Sequence, residues 1–142
     1  MAAAGERRRT IGLVAHDRMK DAMVGWARRW AEVLAGLELF ATGTTGGRIA
    51  EALPGLKLTI LLSGPLGGDQ QLGAMIAEQR IDGLVFLVDP LSPHPHDVDV
   101  KALIRVATLA DIPFACNLAT ADAVMRACFA SPESHPGEGR DP

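Results

Sequence analysis

A short glycine-rich stretch with one acidic residue is the first place in this sequence where chemistry is expected. It reads SGPLGGDQQ, from Ser63 to Gln71, and lies between an apolar run and a helical pattern. Gly64, Gly67 and Gly68 allow backbone conformations that residues with a Cβ resist, so a ligand can approach the main chain closely. Asp69 follows at the start of the next predicted helix, where its carboxylate could act as a general base on a bound phosphate ester. The alternative is a strand-to-helix turn in which Asp69 is only an N-cap.

A second candidate for ligand binding is the sequence TGTTG at residues 42–46. Its backbone N–H groups and the hydroxyls of Thr42, Thr44 and Thr45, placed before a predicted helix, suit a phosphate dianion. It lacks the Gly-Lys-Ser/Thr of a Walker A loop and the glycine spacing of a dinucleotide fingerprint. Lys20 could add a positive charge, although a lysine in a predicted helix is, taken alone, typical of a solvated surface.

Imidazole and carboxylate side chains are concentrated in one proline-rich loop, which contains His94, His96, Asp97 and Asp99. These are metal-ligand types, and no other cluster in the sequence has ligand spacing. The same groups could instead serve acid and base chemistry on a carbonyl, which requires side chains whose environments separate their pKa values. The residues alone leave both interpretations open.

Five short apolar runs alternate with helical patterns along the chain. The predicted strands are residues 10–15, 37–41, 57–62, 83–88 and 112–116. The predicted helices run from Met19 to Gly36, about 47–53, 70–79, 100–107 and 121–129, with Asp17 and Thr120 as N-caps of the first and last. Trp26 and Trp30 fall on the apolar stripe of the first helix and are therefore expected in the core. This alternation predicts an α/β fold with a doubly wound parallel sheet.

Each predicted strand is followed by a polar residue. The five residues are His16, Thr42, Ser63, Asp89 and Asn117. In an open parallel sheet the carboxyl ends of the strands share one edge, and ligands bind there at the topological switch point. We therefore expect these side chains, and the two loops described above, to converge in space.

The composition is that of a globular domain and gives no sign of nucleic-acid or membrane binding. The chain has 142 residues, 48% of them hydrophobic and 22% charged, as expected for one globular domain. Its net charge of −3 offers no electrostatic footprint for nucleic acid or an acidic membrane surface. Cys116 and Cys128 are expected to be buried free thiols, and the apolar run 11–15 is too short for a signal peptide or a spanning helix. We predict a soluble cytoplasmic protein.

Two ends of the chain look different from the middle. Residues 1–9 are predicted to be a flexible N-terminus, residues 10–130 the folded domain, and residues 131–142 a flexible tail that is rich in Pro, Gly and charge.

The sequence resembles the methylglyoxal synthase family from about Ile11 to about Ala123. The motifs that carry the resemblance are LVAHD at 13–17, ATGTTG at 41–46, LSGPLGGDQQLGA at 62–74, and DPL, PHD and KALIRVAT within 89–108. The resemblance implies a lyase that converts dihydroxyacetone phosphate to methylglyoxal and inorganic phosphate through an enediol or enediolate. It also implies no metal or organic cofactor, a homohexamer, and a five-stranded parallel sheet of order 3-2-1-4-5.

Carried over by position, the resemblance makes Asp69 the catalytic base, His96 the histidine at the substrate carbonyl, and Asp99 a second functionally important aspartate. It assigns the substrate and phosphate contacts to His16, Lys20, Thr42, Gly43, Thr44, Thr45, Ser63, Gly64 and His96. His94 has no counterpart.

One departure concerns the end of the chain. The family continues with ordered chain that includes an arginine reaching a neighbouring subunit's phosphate site, whereas residues 131–142 are unrelated to it.

A regulatory effector-binding module of the same fold is the alternative function. Such a module would need the phosphate loop but not Asp69, His96 and Asp99 together, and their joint presence favours the enzyme.

Overall fold

The computed structural model describes residues 9–91 and 100–130, and its centre is a five-stranded parallel sheet. The strands are β1 (Thr10–Ala15), β2 (Glu38–Ala41), β3 (Leu58–Ile60), β4 (Gly83–Leu87) and β5 (Phe114–Ala115). Their order is β3-β2-β1-β4-β5, and every neighbouring pair is parallel. The predicted doubly wound sheet and its order are therefore confirmed.

Helices cover both faces of the sheet. They are α1 (Lys20–Arg29), α2 (Ala31–Leu34), α3 (Gly43–Ala52), α4 (Gly68–Ala77), α5 (Val100–Ala110) and α6 (Leu118–Val124). Short 3₁₀ turns occur at Asp17–Met19 and Gly64–Leu66, and a π-helical turn follows α6 at Met125–Phe129. Buried side chains of α1, α2, α3 and α6 form one core cluster, and those of α4 and α5 form the other. The result is a three-layer α/β/α domain.

β1 lies in the middle of the sheet and is buried along its whole length. Ile11 and Leu13 contribute to the core under α1, whereas Val14 belongs to the cluster under α4 and α5, as the alternation of side chains along a strand requires. Trp26 and Trp30 are 0% and 4% exposed, so the prediction that both are core residues is confirmed.

Three predictions about helix starts are wrong. α3 begins at Gly43, so TGTTG forms its first turn instead of a loop that precedes it. Asn117 caps α6, because its Oδ1 accepts the N–H of Thr120 at 2.9 Å; Thr120 therefore lies inside the helix that it was predicted to cap. Asp17 starts a 3₁₀ turn, and α1 follows Met19 without a side-chain cap.

The predicted first helix and the outer strands are also shorter than expected. The helix predicted over residues 19–36 is interrupted at Trp30, whose φ of −104° and ψ of 18° are not helical, and it ends at Leu34. β3 and β5 have three and two residues. Both are edge strands with a single neighbour, so fewer ladder hydrogen bonds hold their ends.

Cys116 and Cys128 are free thiols, as predicted, but both are only half-buried. Burial raises the pKa of the Cys116 thiol, which keeps it protonated and weakly nucleophilic near neutral pH. Among the described residues, no helix is both long enough and apolar enough to cross a membrane.

Candidate active site

The site is built where the sheet changes its direction of growth, between β1 and β4. His16 is the first residue after β1, and Asp89 is the second residue after β4. Both are buried, at 3% and 6% exposure. The backbone N–H of Asp89 donates a hydrogen bond of 2.9 Å to His16 Nδ1. The His16 and Phe86 rings form a T-shaped pair, with ring centroids 5.1 Å apart. The predicted convergence at the switch point is therefore observed for this pair.

A charged side chain that the sequence analysis missed also lies here. Arg18 Nε is 3.8 Å from Asp89 Oδ2, and the arginine is largely exposed while the carboxylate is buried. Arg18 precedes α1 in the 3₁₀ turn, and nothing in its spacing distinguishes it from a surface arginine. The fifth strand-end residue, Asn117, is instead used as the cap of α6.

The last residue of β1 holds two of the predicted phosphate contacts through its main chain. Lys20 Nζ donates to Ala15 O at 2.6 Å and lies 3.2 Å from Asp17 Oδ1. Thr45 Oγ1 accepts the Ala15 N–H at 3.1 Å. Lys20 is 5% exposed, so the interpretation of it as a solvated surface lysine is wrong. A cation is thus fixed beside the first turn of α3.

The two loops predicted to bind a ligand contact each other. The Gly43 N–H donates to Leu62 O at 3.1 Å, and a Cβ on Gly43 would lie 2.8 Å from the Ser63 nitrogen. Only glycine permits this approach of two backbones. Thr42 is buried and Thr44 is exposed. Consequently the amino end of α3 lies against the loop that leads into α4, and helix amino ends are suited to binding an anion.

Asp69 occupies the first turn of α4. The N-cap position belongs to Gly67, whose φ of 107° is left-handed, so the interpretation of Asp69 as an N-cap is wrong. The Gly68 N–H donates to Ser63 O at 2.9 Å and draws the loop tightly over the helix end. Asp69 Oδ1 is buried and has no hydrogen-bond partner within residues 9–91 and 100–130. A buried, unpartnered carboxylate oxygen calls for a functional explanation.

Several predicted residues lie outside the described part of the chain. They are His94, His96, Asp97 and Asp99, which fall within residues 92–99. Within the residues that the structure describes, no group of three or more His, Cys, Asp or Glu side chains could hold a metal ion. Ser63 and Gly64 lie at the start of the 3₁₀ turn before α4.

Known proteins resemble this chain over most of its length. A family model described as an MGS-like domain matches residues 22–116. A protein from Rhizobium rhizogenes named methylglyoxal synthase is 61% identical over 116 residues, which are 82% of this chain and 92% of that protein. A protein of the same name from Brucella ovis is 54% identical over 121 residues, 85% of this chain and 97% of the relative. The crystal structure of methylglyoxal synthase from Elizabethkingia anophelis NUHP1 aligns with a TM-score of 0.82 and 45% identity, over 95% of this chain and 92% of that one.

Proposed function

The chain belongs to the methylglyoxal synthase family, and on that premise we propose how its residues carry out the family's reaction. The activity is that of a carbon–oxygen lyase, which converts dihydroxyacetone phosphate to methylglyoxal and inorganic phosphate. The observation that carries the residue assignment is the buried Oδ1 of Asp69, which has no hydrogen-bond partner among the described residues and lies at the amino end of α4.

Asp69 is the general base of this proposal. It removes a proton from a carbon next to the substrate carbonyl, while His96 donates a proton to the carbonyl oxygen, and an enediol or enediolate forms. The electrons of the enediolate then expel inorganic phosphate, and the enol that remains tautomerises to methylglyoxal. Asp99 is the second functionally important aspartate. The roles of His96 and Asp99 rest on the resemblance, and that of Asp69 rests on its position as well.

The leaving phosphate is stabilised by charge and by oriented dipoles. Lys20 supplies a positive charge next to α3, and the amino ends of α3 and α4 supply backbone N–H groups. The proposed hydroxyl and N–H contacts come from Thr42, Gly43, Thr44, Thr45, Ser63 and Gly64. Preorganised donors of this kind act on the charge that develops as the C–O bond breaks. Elimination further requires that bond to stand near perpendicular to the enediol plane, which these contacts would impose.

The direct test is to incubate the purified full chain with dihydroxyacetone phosphate. We expect equimolar inorganic phosphate and methylglyoxal, measured separately by a phosphate assay and by derivatisation of the dicarbonyl. Conversion to glyceraldehyde 3-phosphate without phosphate release would contradict the proposal, because it would mean that the enediolate is reprotonated instead of eliminating.

Thr45→Val should weaken both substrate and phosphate binding. Valine keeps the shape of the side chain but cannot accept the buried Ala15 N–H, so the first turn of α3 loses its hydrogen bond to the end of β1, where Lys20 is also held. We expect the KM for dihydroxyacetone phosphate and the inhibition constant of inorganic phosphate each to rise by about tenfold. Thr45→Ser, which retains the hydroxyl, is the matched control. A rise in KM with unchanged phosphate inhibition would show that the two ligands do not share this end of α3.

Activity should be insensitive to chelators. The proposal assigns His96 to the substrate carbonyl and gives neither it nor His94 a metal. We expect the same kcat/KM before and after treatment with EDTA followed by desalting. A loss of activity that a divalent cation restores would instead assign the histidines and aspartates of residues 94–99 to a metal site.

Assembly and location are part of the same proposal. Following the resemblance, we propose a homohexamer that acts in the cytoplasm on a small phosphate ester, without nucleic acid or membrane as partner. Light scattering on the purified chain measures the oligomeric mass directly.

A further inference from the structure

The contact between Asp89 and His16 determines which nitrogen of the imidazole ring carries the proton. The donor is a backbone N–H, which has no lone pair to offer, so His16 Nδ1 must accept. In a neutral ring the single proton then sits on Nε2. We infer that Asp89 is a positioning residue that holds His16 as the neutral, Nε2-protonated tautomer, and that His16 acts as a hydrogen-bond donor to a substrate oxygen and not as a base.

The position of the Asp89 amide is itself held from several sides. Asp89 Oδ1 accepts the N–H of Leu91 at 3.0 Å, which closes a tight turn after β4. Asp89 Oδ2 faces the Arg18 guanidinium at 3.8 Å. The strand just before this turn is fixed as well, because the His16 N–H donates to Leu87 O at 3.1 Å. The amide that reaches Nδ1 is therefore part of a rigid link between β1 and β4.

The ring has little freedom to choose another orientation. His16 is 3% exposed, and its ring packs against that of Phe86 at an interplanar angle of 77°. Turning the ring over would place carbon, in place of Nδ1, against the Asp89 N–H, and the buried hydrogen bond between them would be lost. The geometry thus favours one tautomer in one orientation.

This inference rests on the lyase reaction proposed above and adds a division of roles to it. Asp69 accepts a proton at the amino end of α4, whereas His16 donates a hydrogen bond from the switch point between β1 and β4. A neutral donor can bind an anionic oxygen without taking part in proton transfer. The mutational signature of His16 should accordingly be that of a binding contact.

The tautomer can be measured on the unmodified chain by ¹⁵N NMR of histidine-labelled protein at neutral pH. The chain has four histidines, and the spectrum of His16→Gln identifies which signals belong to His16. We expect a shift typical of an unprotonated ring nitrogen at Nδ1 and of a protonated one at Nε2. A proton on Nδ1, alone or together with Nε2, would overturn the inference. If His16→Gln does not fold, substitution of the other three histidines assigns the signals by elimination.

Two substitutions separate the ring nitrogens in activity. The amide of glutamine can place an N–H near the position of Nε2, whereas the amide of asparagine reaches only the position of Nδ1. We expect His16→Gln to retain about tenfold more kcat/KM than His16→Asn, with the difference mainly in KM. Equal losses, or a loss confined to kcat in both variants, would overturn the role as a donor.

The role of Asp89 has its own readout. Asp89→Asn keeps an oxygen that can accept the Leu91 N–H, and Asp89→Ala removes it. We expect the His16 signals to keep the Nε2-protonated pattern in Asp89→Asn and to show a mixture of tautomers in Asp89→Ala. An unchanged pattern in Asp89→Ala would overturn the positioning role of the side chain. An inactive wild-type chain with the expected tautomer would instead refute the lyase reaction and leave the tautomer assignment standing.

Discussion

Asp69→Asn is expected to lose at least about 10²- to 10⁴-fold in kcat while the fold and phosphate binding are retained. General-base action typically contributes this much to a rate. The amide has the shape of the carboxylate and can still lie in the first turn of α4, but it cannot take a proton from carbon. The measurements are steady-state kinetics with dihydroxyacetone phosphate and titration calorimetry with inorganic phosphate.

Asp111→Asn is the matched control for that experiment. Asp111 is exposed after α5 and has a φ of 59°, a conformation that asparagine tolerates as well as aspartate. We expect its kinetics and unfolding midpoint to match those of the wild type. If Asp69→Asn retained near wild-type turnover, the base would have to be another residue, and the buried Oδ1 of Asp69 would need a different explanation.

Gly68→Ala is expected to damage stability and catalysis together. A Cβ at this position would lie 1.8 Å from Leu62 O, which is a backbone atom, so the loop from Leu62 to Gly67 would have to move away from α4. Forcing extra volume into a packed site typically costs about 1–3 kcal/mol in the free energy of unfolding. A displacement of about 1 Å in a catalytic group can lower the rate by about 10²-fold. Urea unfolding and kcat/KM measure the two effects.

Gly47→Ala tests whether the effect comes from this close approach. Gly47 lies within α3, and a Cβ there would meet no heavy atom within 4 Å. Because glycine is unfavourable in a helix interior, alanine should stabilise the chain by about 0.5–1 kcal/mol and leave kcat unchanged. If Gly68→Ala behaved like Gly47→Ala, the loop would be able to yield at no cost, and its tight contact with α4 would not position Asp69.

The architecture could be predicted from the sequence because each strand lies within a distinct apolar run and each predicted run is followed by a polar residue. The central strand β1 matches its predicted bounds, residues 10–15, since both of its neighbours hold it. The edge strands β3 and β5 were predicted too long, because an apolar run does not reveal how many neighbours a strand has. The strand order came from the resemblance and not from periodicity.

Only part of the site could be predicted from the sequence. Clusters of glycine and threonine indicated the two segments that meet at Gly43 and Ser63, and this contact is present in the structure. The burial of Lys20 depends on a hydrogen bond to Ala15 O, which no local pattern encodes. Arg18 carried no signal, because its partner Asp89 is distant in sequence and close only through the pairing of β1 with β4. The roles of His96 and Asp99 stay predictions.

Several contacts that hold the site use main-chain atoms. Ala15 N and O hold Thr45 and Lys20, Asp89 N holds His16, and Ser63 O holds the start of α4. A codon change at these anchor positions alters the side chain but leaves the amide in place, except when it encodes proline. The geometry is therefore buffered against most point mutations at Ala15. It is vulnerable at Asp89 and Ser63, whose side chains have proposed roles of their own, at the groups that the anchors hold, and at glycines such as Gly43 and Gly68. In a saturation-mutagenesis library, tolerance should depend on side-chain volume at Ala15, and on chemical identity at the other anchors and at the groups that they hold.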